Sequence, residues 1–135
     1  MDSNGKFSVM RFSMPFLKRL LLTVSMCCLV ATANAAPIDD ATAAYIKGDY
    51  AQALNILRPL AAQGNTEAQN NTGVMYEEGL GVTQNYQEAL KWYRLAADQG
   101  DALAQYNTGA MYRNGQGVTQ NYQEAMRWYR LSFPR

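Results

Sequence analysis

Residues 79–95 read GLGVTQNYQEALKWYRL and residues 115–131 read GQGVTQNYQEAMRWYRL, so one stretch occurs twice at a spacing of 36 residues. Extended back to Ala68 and Ala104, the two copies align over 29 positions, of which 21 are identical. A fixed period of this length is typical of proteins in which stacked structural repeats bury their apolar faces against one another. The sequence therefore predicts a repeat architecture.

A third, more divergent copy precedes the other two. The pattern Asp49-Tyr50-x-x-Ala53-Leu54 aligns, again at 36 residues, with Asn85-Tyr86-x-x-Ala89-Leu90. Its apolar residues recur at the three-to-four-residue spacing of an amphipathic helix. We therefore predict an all-α fold of three helical hairpins, the first with a shorter turn and the last truncated, over residues 44–64, 65–100 and 101–135. Residues 36–43 have a short-chained, polar composition that indicates a linker.

Capping residues predict where the helices begin and end. Asn65 and Asp101 each follow a glycine and can cap a first helix, helix A, which then begins near residue 66 or 102. Helix A is expected to end near Gly79 and Gly115. The second helix, helix B, is expected to open at asparagines that stand three residues before a glutamate, as in a capping box, at Asn85 and Asn121.

The N-terminus has the pattern of a secretory signal. Lys18 and Arg19 precede an apolar run over residues 20–30, and Ala33-Asn34-Ala35 supplies small residues at a cleavage site. We expect residues 1–35 to be removed near Ala35, which predicts a periplasmic or secreted protein. An uncleaved signal, the alternative, would be its only link to a membrane. The true start is open among the methionines Met1, Met10 and Met14.

Residue content argues against an enzyme. Both cysteines lie in the signal, and the chain has no histidine, so the mature part offers no disulfide, no thiolate or imidazole metal ligand and no catalytic Cys–His or Ser–His pair. From residue 36 onward eight Lys and Arg stand against ten Asp and Glu, a net charge of −2 without a basic patch for nucleic acid. The Gly-x-Gly turns lack the lysine and preceding strand of a phosphate-binding loop. We expect no cofactor and no metal.

The segments AQNNTGVMY (68–76), GLGVTQNYQEA (79–89) and WYRLAADQG (92–100) resemble the Sel1-like repeat family, cousins of the tetratricopeptide repeats. The resemblance implies a right-handed α/α solenoid that acts as an adaptor for a protein or peptide partner. The first hairpin looks more like an ordinary tetratricopeptide unit. Thr72 and Thr108 stand where the family usually has leucine, which calls tight packing there into question. A branch associated with β-lactam binding carries a cysteine pair in each repeat, which this mature chain lacks.

Comparison of the two close copies suggests a binding face. Within helix A they differ at positions 70/106, 74/110, 77/113 and 78/114, which share one side of a helix. Since helix A lines the concave surface of tetratricopeptide-like solenoids, we predict a polar groove there, with asparagines at its edge that hold ligand backbone. The predicted partner-binding residues are Asn70, Asn71, Glu77, Glu78, Tyr106, Asn107, Arg113 and Asn114. The alternative is an exposed face that varies without any ligand.

The C-terminal end suggests a second contact. The last helix lacks the Gln-Gly turn that follows the other helices B, so we expect Trp128, Leu131 or Phe133 to stay partly exposed and to favour self-association.

Two other functions remain open. One is a cell-envelope enzyme or enzyme inhibitor related to peptidoglycan or β-lactams, and the other is a truncated remnant of a longer repeat array.

Overall fold

The computed structural model describes residues 35–133, so the predicted signal peptide lies almost wholly outside the described residues. Within this range the chain is all-α, without a β-strand, and residues 34–135 form one compact unit. Each helix packs on the next along the chain, which produces three stacked hairpins. The helices are α1 (Ala35–Ile46), α2 (Tyr50–Ala62), α3 (Thr66–Glu78), α4 (Tyr86–Asp98), α5 (Ala102–Asn114) and α6 (Tyr122–Ser132). None of these six is long and apolar enough to cross a membrane.

Side-chain caps begin the helices at the predicted positions. The Asn65 carboxamide oxygen accepts a hydrogen bond from the backbone N–H of Ala68 at 2.9 Å, and Asp101 caps α5 in the same way. Asn85 and Asn121 cap α4 and α6. These oxygens satisfy backbone donors that the first helical turn leaves free. The predicted starts of these four helices are therefore confirmed.

The interpretation of residues 36–43 as a linker is wrong, because these residues belong to helix α1. Ile38, Ala41 and Ala44 are buried in the same apolar cluster as the leucines of α2. The short-chained composition wrongly indicated a linker, because two of these three side chains are only methyl groups. Such small side chains let α1 lie close to α2. The first hairpin therefore begins at about residue 35 and not at residue 44.

Each Gly-x-Gly turn connects helix A to helix B within one hairpin and also contacts the preceding hairpin. Gly79 ends α3 with a left-handed φ of 69°, as a C-terminal glycine commonly does. Gly81 lies against the backbone where α2 begins, and a Cβ atom there would come within 2.6 Å of the Tyr50 carbonyl oxygen. Gly117 makes the equivalent contact with Tyr86. The turns thus pack each hairpin onto the preceding one, in agreement with their interpretation as turns.

The doubt about Thr72 and Thr108 is resolved in favour of tight packing, because both side chains are completely buried. The Thr108 hydroxyl donates a hydrogen bond to the Ala104 carbonyl at 2.8 Å, within α5. At the C-terminal end, Trp128 is buried, whereas Leu131 and Phe133 are exposed, Phe133 by 68 %. Leu131 and Phe133 therefore form the expected exposed apolar edge, and Trp128 is not part of it.

Candidate partner-binding site

The helix-A side of the first two hairpins contains a partly open pocket of about 280 Å³. Helices α1 and α3 supply most of its lining, and α2 supplies one residue from behind. The buried side chains of Leu57 and Met75 lie within the protein, whereas Thr42 is exposed and Tyr45 is 41 % exposed. The lining residues are Ala41, Thr42, Tyr45, Leu57, Asn71, Val74 and Met75.

This lining is mainly apolar with a few polar groups, the combination that binds a ligand side chain and orients its polar atoms. Apolar contact comes from Ala41, Leu57, Val74 and Met75. Hydrogen-bonding groups come from the Tyr45 phenol and the half-buried Asn71 carboxamide. The Thr42 hydroxyl already donates to the Ile38 carbonyl at 3.0 Å, so it can only accept a further bond. Asn71 is thus the one predicted binding residue that lines this pocket.

Asn70 and Asn107 hold neighbouring hairpins together. Asn70 is only 4 % exposed, and its side-chain oxygen accepts a hydrogen bond from the Asn107 amide nitrogen at 3.0 Å. Asn70 therefore does not line a solvent-open groove as predicted. A buried amide needs such a partner, because burial without one has a large desolvation cost.

Glu77 is also engaged within the protein. Its carboxylate accepts a hydrogen bond of 2.6 Å from the Tyr93 hydroxyl. Burial raises the pKa of Tyr93 well above its ordinary value of 10.0, and the hydrogen bond to Glu77 and the negative charges of Glu77 and Glu78 raise the pKa further. Tyr93 is therefore a neutral hydrogen-bond donor in the core, and Glu77 is its acceptor.

The remaining predicted residues lie further along the helices A. Glu78, Arg113 and Asn114 are exposed at helix ends, where the Arg113 guanidinium donates to the Asn114 side-chain oxygen at 3.3 Å. The Tyr106 ring lies tilted against that of Tyr129, with ring centroids 5.3 Å apart, and it contacts Phe133 edge-on at 6.2 Å. The eight predicted residues therefore do not form one continuous groove.

Packing explains why the two copies differ along this face. Asn70 and Val74 contact the next hairpin, Asn70 through Asn107 and Val74 through the cluster that contains Met111. Their counterparts in the third hairpin, Tyr106 and Ala110, have no such hairpin over them in residues 35–133. The differences at 70/106 and 74/110 thus coincide with different packing contacts within residues 35–133.

The pocket residues on α1 were missed because residues 36–43 were interpreted as a linker. A signal for the helix was present, since Ile38, Ala41 and Ala44 recur every three residues and would share one helix face. Leu57 fits the apolar spacing of the first hairpin, and that spacing does not indicate a pocket beside it.

Residues 35–133 contain no group of three or more acidic, histidine or cysteine side chains that could hold a metal ion. The pocket residues themselves include no charged side chain, no nucleophile paired with a base and no general acid. The lining offers apolar contacts and a few hydrogen-bonding groups to a ligand.

Comparison with known families agrees with the repeat count. The model of the Sel1 repeat matches residues 42–65, 66–101 and 102–132. The chain belongs to the Sel1 repeat family. All three hairpins match, so the first is also a Sel1 repeat and not only a general tetratricopeptide-like unit. Sel1 repeat proteins generally mediate protein–protein interactions and are not enzymes.

Two solved structures illustrate the likeness. A Sel1 repeat protein from Oxalobacter formigenes is 41 % identical, covers 70 % of this chain and superposes with a TM-score of 0.67. A protective antigen present in uropathogenic Escherichia coli strains, which displays an SLR fold, is 38 % identical over 73 % of this chain with a TM-score of 0.69. The match spans 39 % and 22 % of those two chains, respectively. Comparison with curated proteins gave no match.

Proposed function

We propose that this Sel1 repeat protein is an exported adaptor that binds a peptide or protein partner on the helix-A face, at the pocket between α1 and α3. The observation that carries the proposal is the pocket itself, an apolar recess rimmed by Thr42, Tyr45 and Asn71. Export is supported by the arrangement of Lys18, Arg19, the apolar run and Ala33-Asn34-Ala35 in the sequence.

The pocket suits a short stretch of extended chain. A side chain of the partner enters the apolar recess, while the Asn71 carboxamide at the rim offers both a donor and an acceptor to a peptide group. Buried apolar anchors carry most of the affinity in such interfaces, and polar rim contacts mainly set orientation. The binding energy would therefore be concentrated at this pocket.

Peptide display against the mature chain, residues 36–135, tests the proposal. Selected peptides should lose roughly tenfold or more in affinity when Tyr45→Ala or Asn71→Ala removes part of the rim, as contacts of hot-spot quality do. Ile46→Ala is the matched control, because Ile46 is 78 % exposed on α1 and lies outside the pocket lining. Equal affinity for all three variants would place the binding elsewhere.

Asn71 is a better test position than Glu77. Reversal of the Glu77 charge would remove the acceptor of the buried Tyr93 hydroxyl, so a loss of binding could simply report a loss of stability. Circular dichroism of each variant shows whether the fold is retained.

For export, a fusion of residues 1–40 to a reporter that is active only outside the cytoplasm should be active, and replacement of Lys18 and Arg19 by glutamate should reduce that activity.

A further inference from the structure

The pocket lies where the other two hairpins contain a tyrosine ring. In the second hairpin the ring of Tyr93 is completely buried against Gly73, where an added Cβ atom would come within 2.6 Å of the ring. In the third hairpin Tyr129 lies against Gly109 in the same manner, at 2.8 Å. A glycine on helix A thus accommodates a tyrosine of helix B in each of these repeats.

The first hairpin lacks this pair. Leu57 of helix B aligns with Tyr93 at the 36-residue period. On helix A, the sequence Ala43-Ala44-Tyr45-x-x-Gly48 aligns with Val74-Met75-Tyr76-x-x-Gly79, which places Thr42 opposite Gly73.

A backbone hydrogen bond supports this alignment of the two helices A. The N–H of Asp49 donates to the Ala44 carbonyl at 2.9 Å, and the N–H of Leu80 donates to the Met75 carbonyl at 2.9 Å. Both bonds close the same turn at the helix end.

The two replaced residues, Thr42 and Leu57, both line the pocket. Thr42 is exposed, whereas the equivalent Gly73 is buried under the Tyr93 ring. The place that the ring occupies in the second hairpin is therefore open in the first. Met75, which lines the pocket, corresponds to Met111, which lies in the same apolar cluster as Tyr93. The recess therefore has the apolar walls of a tyrosine site but not the tyrosine.

We propose that this pocket binds one aromatic side chain, tyrosine or phenylalanine, of a partner peptide. The inference rests on the proposed function and names the ligand class of that site. A recess of about 280 Å³ is at the small end for small-molecule sites, and it suits a single ring. Aromatic side chains bring a large apolar area and favourable ring contacts, here with the rim tyrosine Tyr45.

The neighbouring position between α3 and α5 does not offer a second recess of this kind. There the Tyr93 ring fills the space and the Asn70–Asn107 hydrogen bond joins the two helices. A partner should consequently place one aromatic anchor at the first hairpin, and the adjacent hairpin should contribute at most surface contacts.

Four peptides of the form acetyl-Gly-Ser-Xaa-Ser-Gly-amide, with tyrosine, phenylalanine, leucine or alanine as Xaa, test the proposal by NMR titration of the mature chain. We expect the tyrosine and phenylalanine peptides to shift the amide signals of Thr42 and Asn71. We also expect them to bind roughly 10- to 100-fold more tightly than the alanine peptide, the range that burial of one large apolar side chain supports. Leucine binding as tight as tyrosine binding, or equal affinity for all four peptides, would overturn the aromatic assignment.

Filling the recess from within gives the matched variant. The double change Thr42→Gly and Leu57→Tyr recreates the glycine–tyrosine pair of the other repeats, and should abolish binding of the aromatic peptides while leaving helicity intact. Retained binding would contradict the inference. Should the double variant fail to fold, Thr42→Phe, at an exposed position, closes the mouth of the pocket and should have the same effect. Ile46→Ala again serves as the control.

Failure of this inference is distinguishable from failure of the proposed function. Display-selected peptides that need Tyr45 and Asn71 but show no aromatic preference would overturn the ligand class alone. Selected peptides that are indifferent to both rim residues, or a chain that selects no peptide at all, would overturn the proposed site as well.

Discussion

Replacement of Tyr93 by phenylalanine should destabilise the protein, whereas the same replacement of Tyr129 should not. The two tyrosines occupy the same position of successive repeats, and each ring lies against a helix-A glycine. They differ in the environment of the hydroxyl group. The Tyr93 hydroxyl donates to the Glu77 carboxylate at 2.6 Å, whereas the Tyr129 hydroxyl is buried without a partner among residues 35–133.

The expected size follows from this difference. A hydrogen bond to a charged group contributes about 1.5–3 kcal/mol, and its removal also leaves a half-buried carboxylate with one partner fewer. We therefore expect Tyr93→Phe to lower the free energy of unfolding by about 2 kcal/mol, or roughly 10 °C in Tm for a domain of this size. Tyr129→Phe removes an unsatisfied hydroxyl, so its effect should lie between about 0 and 1 kcal/mol of stabilisation.

Urea denaturation of residues 36–135, followed by far-ultraviolet circular dichroism, measures both free energies. The unchanged protein and the double variant complete the comparison, since effects at the two sites should add if the sites act independently. An equal loss in both single variants would refute the reasoning. It would mean that the hydroxyl of Tyr93 contributes packing alone and that the short bond to Glu77 has no net energetic value.

Three further predictions follow from the repeat contacts. Because the pKa of Tyr93 is higher in the folded than in the unfolded protein, the unfolded state binds fewer protons above pH 10, and the free energy of unfolding should fall there. Urea denaturation at each pH should show a shallower fall in Tyr93→Phe. Gly81→Ala combines a left-handed φ with a backbone clash, so it should lower the free energy of thermal unfolding by about 3 kcal/mol or more. Gly100→Ala has a left-handed φ but open space, so it should lower this free energy by only about 1 kcal/mol. Arg113→Glu should supply the Tyr129 hydroxyl with the acceptor that Glu77 gives Tyr93, raising the unfolding free energy by about 1 kcal/mol; the same gain in a Tyr129→Phe background would contradict the assigned bond.

Local signals in the sequence were sufficient for most of the fold. The capping residues and the turn glycines act within a few residues of chain, and the 36-residue period is visible as a direct repeat of the sequence. Both can therefore be read without knowledge of tertiary contacts. Helices α3 to α6 accordingly begin where the caps predicted, and α3 and α5 end at the predicted glycines. Helix α1 was not predicted because its apolar face consists of one isoleucine and small alanines, a weak periodic signal, and because composition does not encode the contacts with α2 that bury this face.

The candidate site was less predictable. Variation between copies correctly drew attention to helix A, but it could not distinguish a face that binds a partner from a face that packs on the next repeat. Asn70 contacts Asn107 across a hairpin boundary, whereas Tyr106 makes tilted and edge-on contacts with the rings of Tyr129 and Phe133. That distinction depends on which hairpin lies beside each position.

The amino-acid sequence by itself determined the repeat, the starts of the helices in the second and third hairpins and the absence of cysteine and histidine from residues 36–135. Only the tertiary structure decided where a cavity remains. Thr42 and Leu57 are ordinary helix residues in isolation, and they lie 15 positions apart in the chain. Packed side by side in the first hairpin, they leave open the space that a glycine–tyrosine pair fills in the next. A void is a property of the volumes of all its neighbours together.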